Sequence, residues 1–182
     1  MQTSEEDVRR LLTAIGDDPS RSGLIETPAR VVKANAEIFA HTGETTFTDY
    51  KLFEVATDTD MVVVVADIPF YSMCEHHLLP FFGTVTVAYQ PKQQVIGLSK
   101  IPRLVDWAAR RPSVQEGLTT LIADELSRIV SAEGVAVHIS ARHMCMEMRG
   151  INRPGTTTTT QVTRGIFKTD AMLRQEFQQQ VH

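Results

Sequence analysis

The chain has few cysteines, no long apolar run, no excess of basic charge and no phosphate-cradling glycine loop. Each shortage excludes something. Two cysteines in 182 residues rule out the disulfide framework that staples small secreted domains. The longest apolar run, Met61 to Ala66, falls far short of the roughly 20 residues that a membrane-spanning helix needs. The acidic opening Met1-Gln2-Thr3-Ser4-Glu5-Glu6-Asp7 lacks the basic-then-apolar layout of a signal peptide. A cytoplasmic location and reduced thiols are therefore expected, with no membrane partner. Eighteen basic against 22 acidic residues leave a net charge of −4, which argues against broad nucleic-acid binding, since that requires a basic surface. A small anionic ligand needs only a local cluster of positive charge. No Walker-type glycine loop occurs, so any nucleotide phosphates are held in another way.

What is present fits one soluble globular domain. The length suffices for a real core, and 42% hydrophobic with 22% charged residues is an ordinary balance. Two helices open the chain. The first is expected from Glu5 to Ile15 behind a Ser4 or Thr3 cap, and Gly16-Asp17-Asp18-Pro19 ends it. The second starts at Thr27-Pro28, read as a cap followed by proline at the first helical position, and closes at Gly43. From Asp49 onward the pattern becomes β. Met61 to Val65 is a β-branched run fit for a buried strand, and Phe82 to Ala88 alternates as a half-buried one. Val95 to Leu98 makes a short strand. Helices follow over Ile101 to Arg110 and Val114 to Ser131, then strands over Val135 to Met148 and Thr157 to Lys168, and a last helix over Ala171 to Gln180. The order α-α, β-β, α-α, β-β, α predicts an α+β fold with a mainly antiparallel sheet rather than alternating βαβ units. Residues 1–48 read as an N-terminal helical region and 49–182 as the catalytic region of one structural domain.

Both cysteines sit in metal-ligand surroundings. Cys74 opens Cys74-Glu75-His76-His77 in the loop between two strands, and Cys145 closes Arg142-His143-Met144-Cys145. Cys-x2-His plus a distant Cys suits Zn²⁺ and leaves a fourth tetrahedral position for water, which is the catalytic pattern. A pair of buried thiols or a single disulfide would leave the flanking histidines unexplained. The spacing favours His77 as ligand and frees His76 for acid/base work. If Val135 to Met148 is one strand, His143, Cys145 and Arg149 share a face and His138 takes the other. His143 is then placed for proton transfer near neutrality, the alternative being a hydrogen-bonded core histidine. Lys100 and Arg103 lie three apart at the start of a helix, where free N–H groups also attract phosphate; the alternative is a solvated helix face. Ser113 and Glu116 have the spacing of a capping box, while a fixed carboxylate at Glu116 is also able to accept two hydrogen bonds from a guanine N–H edge.

These segments resemble GTP cyclohydrolase I. The resemblance rests on Ser72-Met73-Cys74-Glu75-His76-His77, Ile96-Gly97-Leu98-Ser99-Lys100, Arg111-Pro112-Ser113-Val114-Gln115-Glu116 and Ala141-Arg142-His143-Met144-Cys145-Met146-Glu147-Met148-Arg149-Gly150, in family order between Asp67 and Lys168. It implies the tunnelling fold, with two antiparallel strand pairs flanking two helices, and N-terminal helices like those of family members without a long leader. It implies zinc on Cys74, His77 and Cys145, and a proton-transfer pair of His76 and His143. Glu116, with Gln115 beside it, becomes the guanine anchor. Ser99, Lys100, Arg103 and Arg149, with Arg30 as a further phosphate contact, become ribose and triphosphate contacts. GTP is the implied substrate and a homodecamer of two five-membered rings the implied assembly.

Rival readings have distinct signatures. A zinc-stabilised binding module needs a fourth protein ligand. A nucleoside deaminase needs His-x-Glu and Pro-Cys-x-x-Cys, which do not occur. A tunnelling-fold relative acting on another pterin or deazapurine lacks this full ligand set.

Overall fold

The computed structural model describes residues 3–55 and 61–181. Helix α1 (Glu5–Ala14) begins where Ser4 Oγ accepts from the Asp7 N–H and the Asp7 carboxylate accepts from the Ser4 N–H, a reciprocal cap. It lies against α2 (Thr27–Ile38). The cap of α2 differs from expectation. Glu26 occupies the position without a side-chain bond, and Thr27 is already helical because Pro28 fixes the first turn.

A short strand, β1 (Leu52–Glu54), leads to the long hairpin β2 (Val63–Cys74) and β3 (Pro80–Gln90). Strand β4 (Gln94–Ile96) returns to pair with β1. Then come α3 (Lys100–Ala109), the two-residue strand β5 (Pro112–Ser113), α4 (Gln115–Val130), β6 (Gly134–His143), the short helix α5 (Met144–Glu147), β7 (Thr157–Gly165), α6 (Ile166–Thr169) and α7 (Ala171–Gln178). The main sheet has the order β5-β2-β3-β6-β7, antiparallel except where β5 runs alongside Met73 and Cys74. Its four long strands form two antiparallel pairs with α3 and α4 on one face, the tunnelling fold that the resemblance implies.

The core lies between that face and the helices. Ile101, Leu104 and Ala108 of α3 and Leu118, Ile122 and Leu126 of α4 meet Val85, Val87, Val137 and Ile139, all essentially without solvent contact. Burying branched side chains of this size is worth about 1.5–3 kcal/mol each. At the far end of the sheet the opposite face is also covered, because Phe167 and Phe177 from α6 and α7 seat on Ala88 and Ala136. The chain turns into α6 at Gly165, whose φ of 56° and whose position relative to Glu133 forbid a side chain: a Cβ there would sit 2.0 Å from Glu133 O.

Further sequence expectations are overturned. Helix α2 ends at Ile38 rather than near Gly43, and the strand expected from Thr157 to Lys168 ends at Gly165, where α6 begins. The strand from Val135 does not reach Met148. It stops at His143, which pairs with Phe81, because β3 begins there and offers little beyond to bond. The Arg142 guanidinium donates to Glu147 at 2.8 and 2.5 Å, and the chain between them folds into α5. The capping box of Ser113 and Glu116 is also absent. Val114 occupies the cap, and Ser113 is drawn into β5, where its carbonyl accepts from Glu75 N at 3.0 Å. Strand pairing outcompetes a local cap worth about 1 kcal/mol.

Candidate active site

The end of β2 and the turn after it supply the first half of the site. Cys74 is the last residue of β2 and is 6% exposed. Its carbonyl accepts from His77 N and Leu78 N at 3.3 and 2.8 Å, and Leu78 takes a left-handed φ of 50° to complete the turn. This tight turn brings His77 Nδ1 to 3.9 Å from Cys74 Sγ. Helix α5 supplies the other half, Cys145. The three ligand atoms all lie within 4.8 Å of one another. A tetrahedral zinc with bonds of 2.3 Å to sulfur and 2.0–2.1 Å to nitrogen needs ligand atoms about 3.5–3.8 Å apart. The residues therefore fit a small divalent cation after a slight contraction.

The electrostatics agree. Burial pushes the Cys145 thiol up, and the neighbouring Cys74 pushes it further, against a smaller downward pull from Arg149. Two adjacent sulfurs resist ionising together, and a bound cation reverses that preference. Arg149 Nη1 lies 3.4 Å from His77 Nε2, so the imidazole turns Nδ1 toward the thiols. Arg149 reaches the site from beyond α5, not by the strand parity expected of it.

His143 closes β6 with its ring stacked flat on Phe81, centroids 4.9 Å apart and planes 3° off parallel. Its Nε2 lies 2.7 Å from Gln115 Oε1. Burial pushes its basicity down, and the Glu116 carboxylate partly restores it. Glu116 itself is exposed on the first turn of α4, while Gln115 is buried with its amide turned inward. His76 is exposed on the turn, 3.8 Å from the Glu75 carboxylate. His138, earlier on β6, is partly buried, and burial lowers its basicity.

Lys100 and Arg103 form a separate cationic group, away from Arg149 beside His77. Lys100 Nζ and Arg103 Nη1 donate to the two oxygens of the Asp49 carboxylate at 2.5 and 2.7 Å, and together they hold that carboxyl below the usual carboxylate range. Ser99, exposed, precedes α3 without capping it. Arg30 is tied to Glu26 on the exposed face of α2 and shares no hydrogen bond with either group among the described residues. Sequence reasoning missed Asp49, the Phe81 platform and the inward turn of Gln115. Only the alternation of β3 hinted at any of them, by putting Phe81 and Phe82 on opposite faces.

Comparison with known proteins supplies the family. The model of the GTP cyclohydrolase I family matches residues 4–182. The chain is 58% identical to GTP cyclohydrolase 1 of Lactiplantibacillus plantarum, over 97% of this chain and 94% of that one. It is 57% identical to GTP cyclohydrolase 1 of Latilactobacillus sakei, over 98% and 95%. It also aligns at 51% identity with half of the bifunctional protein FolKE of Lactococcus lactis, covering 95% of this chain and 50% of that longer protein. The chain belongs to the GTP cyclohydrolase I family.

Proposed function

We propose that this family member converts GTP and water to 7,8-dihydroneopterin triphosphate and formate, with zinc held by Cys74, His77 and Cys145. The observation that carries the reading is the convergence of those three ligand atoms within 4.8 Å, in a chain of this family and beside a fixed imidazole. Two thiols and one imidazole, with no carboxylate, form a donor set that suits zinc over harder cations. Zinc held there would lower the pKa of a bound water toward ~7 and so supply a nucleophile for carbon 8 of the purine. His143 passes a proton to nitrogen 7, with His76 as its partner in later transfers. The imidazole ring opens to a formamide, a second hydrolysis releases formate, and the opened ribose rearranges and recloses onto the base nitrogens. Glu116 holds the guanine N–H edge through an exposed carboxylate that also acts on His143. Ser99, Lys100, Arg103, Arg149 and Arg30 hold the ribose and triphosphate. The triphosphate is a handle for positioning and is not cleaved.

A zinc-stabilised binding module would need a fourth protein ligand. Among the described residues the convergent ligand group is Cys74, His77 and Cys145, without His143, and His76 faces solvent, which favours the enzyme. Metal analysis of the purified protein, with formate and fluorescent oxidised pterin measured after incubation with GTP, tests the proposal. Metal-saturated protein that releases no formate would rule it out.

Glu116→Gln is expected to lower kcat/KM for GTP about 10- to 150-fold, the worth of hydrogen bonds to a charged acceptor. An amide presents a donor where the guanine edge requires an acceptor. The melting temperature should hardly move, since Glu116 is exposed and makes no cap. Unchanged GTP kinetics in this variant would remove Glu116 from the site.

The active form is a homodecamer of two rings in the cytoplasm. Among the described residues β7 has a free outer edge, and β5 covers only Met73 and Cys74 of β2. Unpaired edges invite a second chain, and a head-to-tail contact that closes makes a ring. Beside the β2 edge lies a groove of about 510 Å³ lined by Ile38, Pro69, Tyr71 and Met73, with Tyr71 73% exposed. In one chain the cationic group and the metal group share no hydrogen bond among the described residues, which suits sites assembled from neighbouring subunits. No described helix is long and apolar enough to cross a membrane. Light scattering coupled to size exclusion should find activity only in the large species. A fully active monomer near 20.3 kDa would refute both the ring and the shared site.

A further inference from the structure

We infer that Gln115 is a positioning residue for His143 rather than a contact to guanine, and that it dedicates Nδ1 of His143 to proton exchange with substrate. The inference rests on the reading of His143 as a proton-transfer residue. The Gln115 side chain is 1% exposed. Its Nε2 group faces three acceptors, Thr158 O at 3.0 Å, Thr160 Oγ1 at 3.1 Å and Ile139 O at 3.2 Å. Two of these are backbone carbonyls that only accept, so the amide cannot be turned around: the flipped oxygen would face two other oxygens. Oε1 therefore points at His143 and is an acceptor, 2.7 Å from Nε2. Nε2 of His143 must carry a hydrogen, whether the ring is neutral or charged. The proton exchanged with a substrate then passes through Nδ1, since which nitrogen is free is set by the bond the other makes.

The amide is itself held by a directed chain of hydroxyls. Thr119 Oγ1 lies 2.7 Å from the main-chain carbonyl oxygen of Gln115, which only accepts, so the Thr119 hydrogen goes there. Thr160 Oγ1 lies 2.7 Å from Thr119 Oγ1 and must then be the donor of that pair. The Thr160 oxygen is left to accept from Gln115 Nε2. Each donor in the chain has one consistent direction, and with both N–H groups engaged Gln115 has none to offer a purine. Phe81 stacks on the flat of the same imidazole, so the ring is fixed in plane by one group and in tautomer by the other.

The test uses the metal-loaded, assembled protein with GTP. Gln115→Leu keeps the bulk and removes the acceptor. Its kcat should fall about 100-fold, the lower range of a lost acid/base contribution, while KM and the equilibrium Kd for GTP stay within about twofold. The solvent deuterium isotope effect on kcat should rise as proton transfer becomes limiting, which a reduced folded fraction would not cause. Because Gln115→Leu leaves buried carbonyls unpaired and risks misfolding, Thr160→Val and Thr160→Ser form a second arm. Valine should lower kcat in the same direction and serine should restore it, because only the hydroxyl matters. A rise in KM and Kd of tenfold or more in Gln115→Leu, with kcat retained, would make Gln115 a substrate contact and overturn the inference. Unchanged kcat in Gln115→Leu, or equal kcat in Thr160→Val and Thr160→Ser, would overturn it as well. Wild-type protein without GTP turnover would instead sink the proposed function itself, and is measured first.

Discussion

Cys145→Ser is expected to leave less than about a tenth of the wild-type zinc and to lower kcat by at least about 10³-fold, because two remaining ligands do not form a site and the activated water is lost with the metal. A serine hydroxyl stays protonated at neutral pH and is a poor partner for a borderline-soft cation. The change is nearly isosteric, and Cys145 sits on a four-residue helix, partly buried at the rim of the main core. The fold should therefore survive, with far-UV circular dichroism as the control. Cys74→Ser and His77→Ala should behave alike, since each removes one vertex of the same group. Cys74 is buried at a strand end, so its serine variant should also lose some stability to a desolvated hydroxyl, about 1–3 kcal/mol. Metal analysis beside turnover decides the matter: Cys145→Ser with full zinc and normal rates would refute the site.

His143→Ala should do the opposite to the metal and much the same to the rate. Zinc is expected to stay near one per chain, because His143 lies outside the Cys74, His77 and Cys145 group. kcat falls about 10²- to 10⁴-fold, the usual worth of a positioned acid/base group. The variant strands Gln115 Oε1 and empties one side of the Phe81 ring, so a moderate drop in melting temperature accompanies the loss of rate. The two readouts separate the roles. Zinc loss equal to that of Cys145→Ser would make His143 a ligand, and a near-normal kcat would return it to the core.

The two histidine-bearing motifs differ in how local their geometry is. The closeness of Cys74 and His77 is legible in the x2 spacing alone, because a turn of that length brings His77 back toward Cys74. The pairing of His143 with Cys145 had to be read across a predicted strand, and that strand ends between them. Both residues still reach the site, but by a helical turn closed through Arg142 and Glu147, not by shared parity. The Ser113–Glu116 spacing failed for a related reason. A capping box is a local pattern, and its serine was claimed by a strand that lies elsewhere in the sequence.

By itself the sequence determined the α+β class, the order of the main helices and long strands, the candidate metal-ligand types at Cys74, His77 and Cys145, and the absence of any Walker loop. Each of these follows from side-chain period, ligand chemistry and spacing, which are properties of short stretches of chain. Only the tertiary structure decided where β6 stops, which way the Gln115 amide faces, and that Asp49 bridges Lys100 and Arg103. Those outcomes depend on partners distant along the chain. A strand ends where its neighbour has no backbone left to bond, an amide turns to match carbonyls on another strand, and a carboxylate goes to whatever charge the fold leaves within reach.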